Sequence, residues 1–314
     1  MHKLKFLTIS IIVVMSLILA GPSFDVSARP LAATDPPLGR ADSFAVLAKT
    51  AVTDVPASII TGDVGLANAG TNYAGLTTAE VSGTIYDTNG TGPAGPTGNN
   101  PALVNGAQSD LVTTFNNASG QTPVTPLGGA DNQVGAPGTL APGVYSFGHA
   151  TTANLIGTVA LDGQNDPNSV FIFIASSDLV FAANSVVQLI RKADACHVWW
   201  VVNSSATLNT RSTVVGTIMA LASISDAGDS NVQGRLLART GQVSLIRTVI
   251  NRPVCASSGG GGGGGKIGGL PNTGGGPIRT EDFPWSLVIV LGGFSAIALV
   301  LGVLAYRRTH LPKQ

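Results

Sequence analysis

The sequence predicts an all-β-dominated domain, a β-solenoid with one long α-helix packed alongside, and three observations lead there. The C-terminal half repeats: ATLNTRSTVVG (206–216), SISDAGDSNVQG (223–234) and QVSLIRTVI (242–250) succeed one another, and Gly216 and Gly234 lie 18 residues apart. A period of roughly 18 to 20 residues is that of one solenoid coil, three short strands turning through Gly or Asn corners. Apolar alternation in VFIFIASS (170–177) and VWWVV (198–202) reads as strand. Within 101–119, Leu103, Ala107, Leu111, Phe115 and Ala118 recur at spacings of three and four, the pattern of an amphipathic helix. Pro101 opens that helix and Gly120 lies just past its end. A coil cannot absorb a helix, so the helix is expected along the outside.

Taken in chain order, residues 1–28 read as a signal peptide. Lys3 and Lys5 precede an uncharged run from Phe6 to Ala20, and Val26-Ser27-Ala28 supplies small residues for cleavage. A short buried helix is the alternative. Residues 29–37 form an N-terminal linker, and 38–255 form one exported domain, long enough for a large core. Within it, 66–100 is rich in Gly, Thr, Asn and Pro and lacks a period. It is expected to be a loop or small cap over an open end of the solenoid, protecting edge strands.

Cys196 and Cys255 are an even count in an exported chain, which favours a disulfide over two buried thiols. A Gly-rich linker follows at 256–269, then the pentapeptide Leu270-Pro271-Asn272-Thr273-Gly274. Residues 285–306 carry no charge, and at ~1.5 Å per residue they make about 33 Å of helix, enough to cross a ~30 Å hydrocarbon core. Trp285 and Tyr306 sit at the expected interfaces, and Arg307, Arg308 and Lys313 in the basic tail 307–314 would hold the C-terminus inside.

Composition narrows the function. Charged residues are 11% of the chain and the formal net charge is zero, so nothing draws it to nucleic acid or acidic lipid. The exported domain holds two histidines, His149 and His197, and lacks the HExxH, GxSxG and CxxC patterns. Asp162, Asp166 and Asp178 could be assembled into a carboxylate pair, but LDGQNDPN (161–168) reads better as an Asx-rich turn than as an acid pair or a calcium loop. The expectation is therefore a protein that is not an enzyme, with no catalytic residues, no cofactor and no metal, acting by surface recognition.

Two resemblances sharpen this. LPNTG, preceded by polyglycine and followed by an apolar span and a basic tail, resembles the cell-wall sorting signal of sortase substrates. The resemblance implies cleavage after Thr273, sortase and peptidoglycan as partners, and a membrane held through the C-terminal helix before processing. Pro271 suits that role by keeping Leu270 extended. Separately, ITGDVG (60–65), DLVTTFNNASGQTP (110–123), LAPGVYSF (140–147), LDGQNDPNSVFIF (161–173) and GRLLART (234–240) resemble the ice-binding-like domain family, across nearly all of 38–255.

That second resemblance implies a discontinuous right-handed β-solenoid, triangular in section, with one helix alongside, and an ice crystal surface as partner. In ice-binding members one flat face meets ice. Neighbouring strands are ~4.7 Å apart, close to ice repeats, so small Thr, Ser, Ala and Asn side chains on rigid strands can order water in an ice-like pattern. With Ala206, Leu208, Val243 and Leu245 turned inward, the expected outward ladder is Thr207, Asn209, Ser225, Ala227 and Ser244. Thr50-Ala51-Val52-Thr53 matches a motif some members carry on the binding face, which adds Thr50 and Thr53; an ordinary strand with exposed threonines is the alternative. Asp226, where the repeat wants Leu, and Ile246-Arg247 depart from the pattern, and an Asp226–Arg247 pair between coils is expected. Two other functions stay open on the same fold: a wall-anchored adhesin or polysaccharide-binding surface protein, and a structural stalk.

Overall fold

The computed structural model describes residues 33–127, 133–135, 138–147 and 152–255. The signal-peptide, sorting-motif and membrane-span expectations at 1–28, 270–274 and 285–306 lie outside the described residues. No helix among the described residues is long and apolar enough to cross a membrane.

Among the described residues all strand pairing is parallel, and the coils contribute strands to three faces. The first face stacks strands such as Gly143–Phe147, Phe171–Ala175 and Val198–Val202. These strands are buried on both sides, which is why they read as nearly unbroken apolar runs. Inward, Tyr145, Phe173 and Trp200 form an aromatic stack with ring centroids 5.4 and 4.3 Å apart. Outward, Ile172, Trp199, Val201, Met219 and Leu237 meet the helix.

That helix spans Pro101–Ser119. Asn100 caps it by accepting the Leu103 N–H at 3.1 Å, and Val104, Ala107, Leu111, Phe115 and Ala118 face the solenoid. The helix thus covers the first face, and no other α-helix among the described residues covers the remaining two.

The coils are not stacked in chain order. Strands Phe44–Ala48, Val52–Val55 and Ile59–Thr61 dock onto Asn231–Ala238, Val243–Ile246 and Val249–Asn251, the last coil in the sequence. The stretch 66–100, expected to be a loop or cap without period, contains three two-residue strands. Tyr73–Ala74, Val81–Ser82 and Ile85–Tyr86 pair with the N-terminal strands and lengthen the solenoid past them. The rest of the stretch lies against this end: Asp87 accepts the Asn89, Gly90 and Gly92 N–H groups, and Asn89 accepts the Gly70 N–H. Strands this short carry too few residues to show alternation, which hid the coil from sequence reading.

Corners explain the glycines of the repeat. Strands Thr213–Ala220 and Asn231–Ala238 each run from the third face to the first. Gly216 sits at this bend with φ +103°, and a Cβ there would lie 2.4 Å from the Val198 carbonyl oxygen. Cys196 and Cys255 are bridged, with Cα atoms 5.6 Å apart, tying the end of the domain to the corner before Val198–Val202. Near it Arg235, 1% exposed at the side chain, is ion-paired with Asp42 at 2.6 Å, and burial pushes its pKa down to about 10.

Candidate functional site

The second face is an eight-stranded sheet without a covering element among the described residues. In its central strands the residues flanking the outward position point into the core: Ala206 and Leu208, Ile224 and Asp226, Val243 and Leu245, Val52 and Asp54 are all buried. The outward residues between them fall into one row by direct register. Asn154 faces Val180, Val180 faces Thr207, Thr207 faces Ser225, Ser225 faces Ser244, Ser244 faces Thr53, and Thr53 faces Ala74. Of the expected site, Thr53, Thr207, Ser225 and Ser244 are therefore neighbours on four consecutive strands. Thr207 and Ser225 hydroxyls are 3.4 Å apart.

Asn209 and Ala227 follow two residues along their coils, beside the row, at partly and fully exposed positions. Thr50 is not in the row. It occupies the exposed bend before Val52–Val55, where its N–H donates to the Gly241 carbonyl at 3.1 Å. It borders the face at one edge.

Sequence reading missed Val180 and Asn154, which extend the row, and Val55, paired in register beside it with Ile246, the residue already noted as a departure from the pattern. The first two escaped because the coil period changes. Thr207 and Ser225 are 18 residues apart, whereas the equivalent corner residues Asn184 and Arg211 are 27 apart. The insertion after Ile190, which includes the turn Ala195–His197, lengthens the earlier coil. An alternation test without a fixed period would have found Leu179-Val180-Phe181.

The row carries no charge; the charged groups lie at its rim. The expected Asp226–Arg247 pair is not formed. Arg247 donates to both carboxylate oxygens of Asp229 at 2.8 and 2.9 Å, and Arg211 donates to Asn184 at 3.0 Å. The reason is side-chain direction: Asp226 follows the outward Ser225 and so points into the core, while Asp229 and Arg247 both occupy the corner in left-handed conformations with φ +59° and +47°.

The other chemistry-bearing side chains are structural. A hydrogen bond from Arg191 holds the Asp162 carboxyl below its ordinary pKa, and Asp166 accepts the Asn168 N–H at 2.9 Å, an Asx turn. Asp178 is held low by Ser204 and then by the Ser205 N–H. His197 Nδ1 lies 2.5 Å from Asp35, whose other oxygen accepts the Trp199 indole N–H at 2.9 Å. No group of three or more His, Cys, Asp or Glu side chains that could hold a metal occurs among the described residues.

Comparison with known proteins agrees with this architecture. The family model described as "Ice-binding-like" matches residues 46–251. An ice-binding protein of Nostoc sp. (strain HG1) is 35% identical over 229 residues, covering 73% of this chain and 77% of its own. One from Colwellia sp. is 32% identical over 216 residues, covering 69% and 83%. Among solved structures, an ice-binding protein from an Antarctic biological consortium is 30% identical with a TM-score of 0.62, covering 72% of this chain and 95% of that one. That of Antarctomyces psychrotrophicus is 28% identical with a TM-score of 0.60, covering 71% and 100%. With the family model spanning the whole coiled region, this chain belongs to the ice-binding-like family.

Proposed function

We propose that this chain is an exported, surface-anchored ice-binding protein that meets ice through its second face. The observation that carries the reading is the in-register row Thr53–Ser244–Ser225–Thr207 on an open parallel sheet. Parallel strands repeat at ~4.7 Å, so these hydroxyls and methyls stand at a lattice-like spacing on a backbone that cannot readjust. Short, uncharged side chains leave the water above them free to adopt an ice-like order. The relatives' ice-binding names support the same reading. The first face is covered by the helix. The third face presents longer amides, Gln188, Gln233 and Asn251, which hold water less regularly.

Export and anchoring are part of the proposal. The signal-peptide pattern and the LPNTG motif with its flanking segments support them.

The test is thermal hysteresis and ice-recrystallisation inhibition by the folded domain. Thr207→Tyr and Ser225→Tyr each raise a ring mid-row and are expected to abolish most of the activity while shifting stability by no more than about 0.5 kcal/mol. Gln233→Tyr, on the third face, is expected to leave activity intact. Activity indifferent to both row substitutions overturns the choice of face. A wild-type protein inert toward ice that binds polysaccharide or cells replaces this reading with the adhesin.

A further inference from the structure

The row of the second face crosses a seam. Between most neighbouring coils a single connection of known length sets the register, but Val52–Val55 and Val243–Ile246 are brought together from opposite ends of the domain. No short connection dictates how they align. A slip of one residue there would turn Thr53 inward and break the row.

Apolar patterning does not prevent that slip. In Val52-Thr53-Asp54-Val55 the observed register buries an aspartate, Asp54 at 6% exposure, and leaves Val55 51% exposed. The slipped register would bury Thr53 and Val55 and return Val52 and Asp54 to water, exchanging one valine for the other. Apolar burial on this strand therefore does not choose between the two alignments, and other contacts must select the observed one.

Beneath the row runs a buried relay. Ser58 Oγ donates to Asp54 at 2.5 Å, and the Thr248 N–H donates to Ser58 Oγ at 2.9 Å. Thr248 Oγ1 then donates to Asp226 at 2.6 Å, and Ser230 Oγ donates to the other Asp226 oxygen at 2.5 Å. Ser58, Thr248, Ser230 and Asp226 are all buried. The relay joins the coils that carry Thr53, Ser244 and Ser225: Asp54 and Asp226 directly follow Thr53 and Ser225, and Thr248 lies four residues beyond Ser244. Two of its bonds lie within one coil, but the Thr248 N–H to Ser58 bond crosses the seam and the Thr248 to Asp226 bond joins the last coils. Each of these latter two requires one alignment, because short side chains cannot reach a partner two residues away. Burial pushes the Asp54 carboxyl up, and Glu80 of the terminal coil raises it further, so the group is held toward its neutral form where its cost inside the core is smallest.

We infer that Ser58 and Thr248, with Asp226 holding Thr248, are positioning residues that lock the register of the ice-facing row across the seam. This rests on the proposed ice face for its functional consequence, but the alignment itself is measurable without ice. Buried polar groups that fix a single register at a cost in stability are known in coiled coils, and the same physics applies here.

The experiment pairs two readouts on the exported chain. Thr53→Cys with Ser244→Cys places thiols on in-register neighbours, and a short bis-thiol reagent reports whether they remain opposed. Ser58→Ala with Thr248→Val is expected to lower cross-linking and ice-recrystallisation inhibition per folded molecule several-fold. Adding Asp54→Leu to that background restores an inward apolar preference and is expected to recover both signals. Unchanged cross-linking after Ser58→Ala and Thr248→Val overturns the inference, as does a variant that fails to fold and is not rescued by Asp54→Leu. If wild-type protein is inert toward ice while cross-linking still responds as stated, the ice reading fails and the register lock stands.

Discussion

His197 shows how a single side chain near the covered face is tuned by its partners. Its hydrogen bond to Asp35 raises the imidazole pKa most, against the lowering effect of burial. Asp35 belongs to the segment before the first strand, which is also held by Thr34–Gln121 bonds of 2.8 and 2.7 Å and by Thr114 Oγ1 on the Pro37 carbonyl. A histidine with a raised folded pKa contributes stability that is fully present below about pH 6.5 and is lost as pH rises through the folded value. Intrinsic-rate-corrected hydrogen exchange of residues 33–38 is therefore expected to accelerate as pH rises above that range. Asp35→Asn should flatten the dependence, and a profile unchanged by Asp35→Asn would contradict the assignment. At this scale the sequence was informative about type but not about partner. Two histidines and several aspartates were visible, yet only the fold shows that Arg247 meets Asp229 rather than Asp226, because the two faces of a strand differ by one position.

The elements divide by how local their causes are. The helix at Pro101–Ser119 was legible to its ends because its cap, its Pro and its apolar spacing all lie within about twenty residues. The late coils were legible through Gly216 and Gly234. Gly216→Ala must accept a positive φ and displace the Val198 carbonyl, so it is expected to cost about 2 kcal/mol or more. Gly138→Ala, where nothing lies within 4 Å of the added methyl, should be near neutral. Chemical denaturation of both variants checks the contrast, and equal costs would show that the corner tolerates a side chain. Earlier coils were not legible as repeats, since corner insertions there lengthen the period without changing the three-strand plan. The terminal coil between Tyr73 and Tyr86 was not legible either, because two-residue strands gain their pairing from a neighbour rather than from their own pattern.

Two predictions belong to the molecule as a whole. The Cys196–Cys255 bridge closes a separation of 59 residues, which by loop entropy stabilises by about 4 kcal/mol. Cys196→Ser with Cys255→Ser is expected to lower the unfolding midpoint clearly, and reductant should do the same to wild type but not to the double variant. A double variant as stable as wild type would refute this. For the proposed anchoring, protein released by muralytic digestion is expected to end at Thr273; recovery of an intact C-terminus through Gln314 would instead make the apolar segment the permanent anchor.

The sequence by itself determined the class of fold, the helix and its limits, and the outward residues of the late coils. These depend on alternation and corner residues a few positions apart, and the physics of strands and caps is local at that range. Only the tertiary structure decided that the N-terminal strands insert beside the last coil, and that Thr53 completes the row begun by Thr207. That placement depends on contacts between residues about 190 positions apart, Ser58 and Thr248 among them, which no local pattern encodes. On the strand that matters most, local hydrophobicity does not choose the register, since a slip would only exchange Val52 for Val55; Asp54 is accommodated inside by the Ser58 hydroxyl of its own coil, which in turn accepts the Thr248 N–H of the distant one.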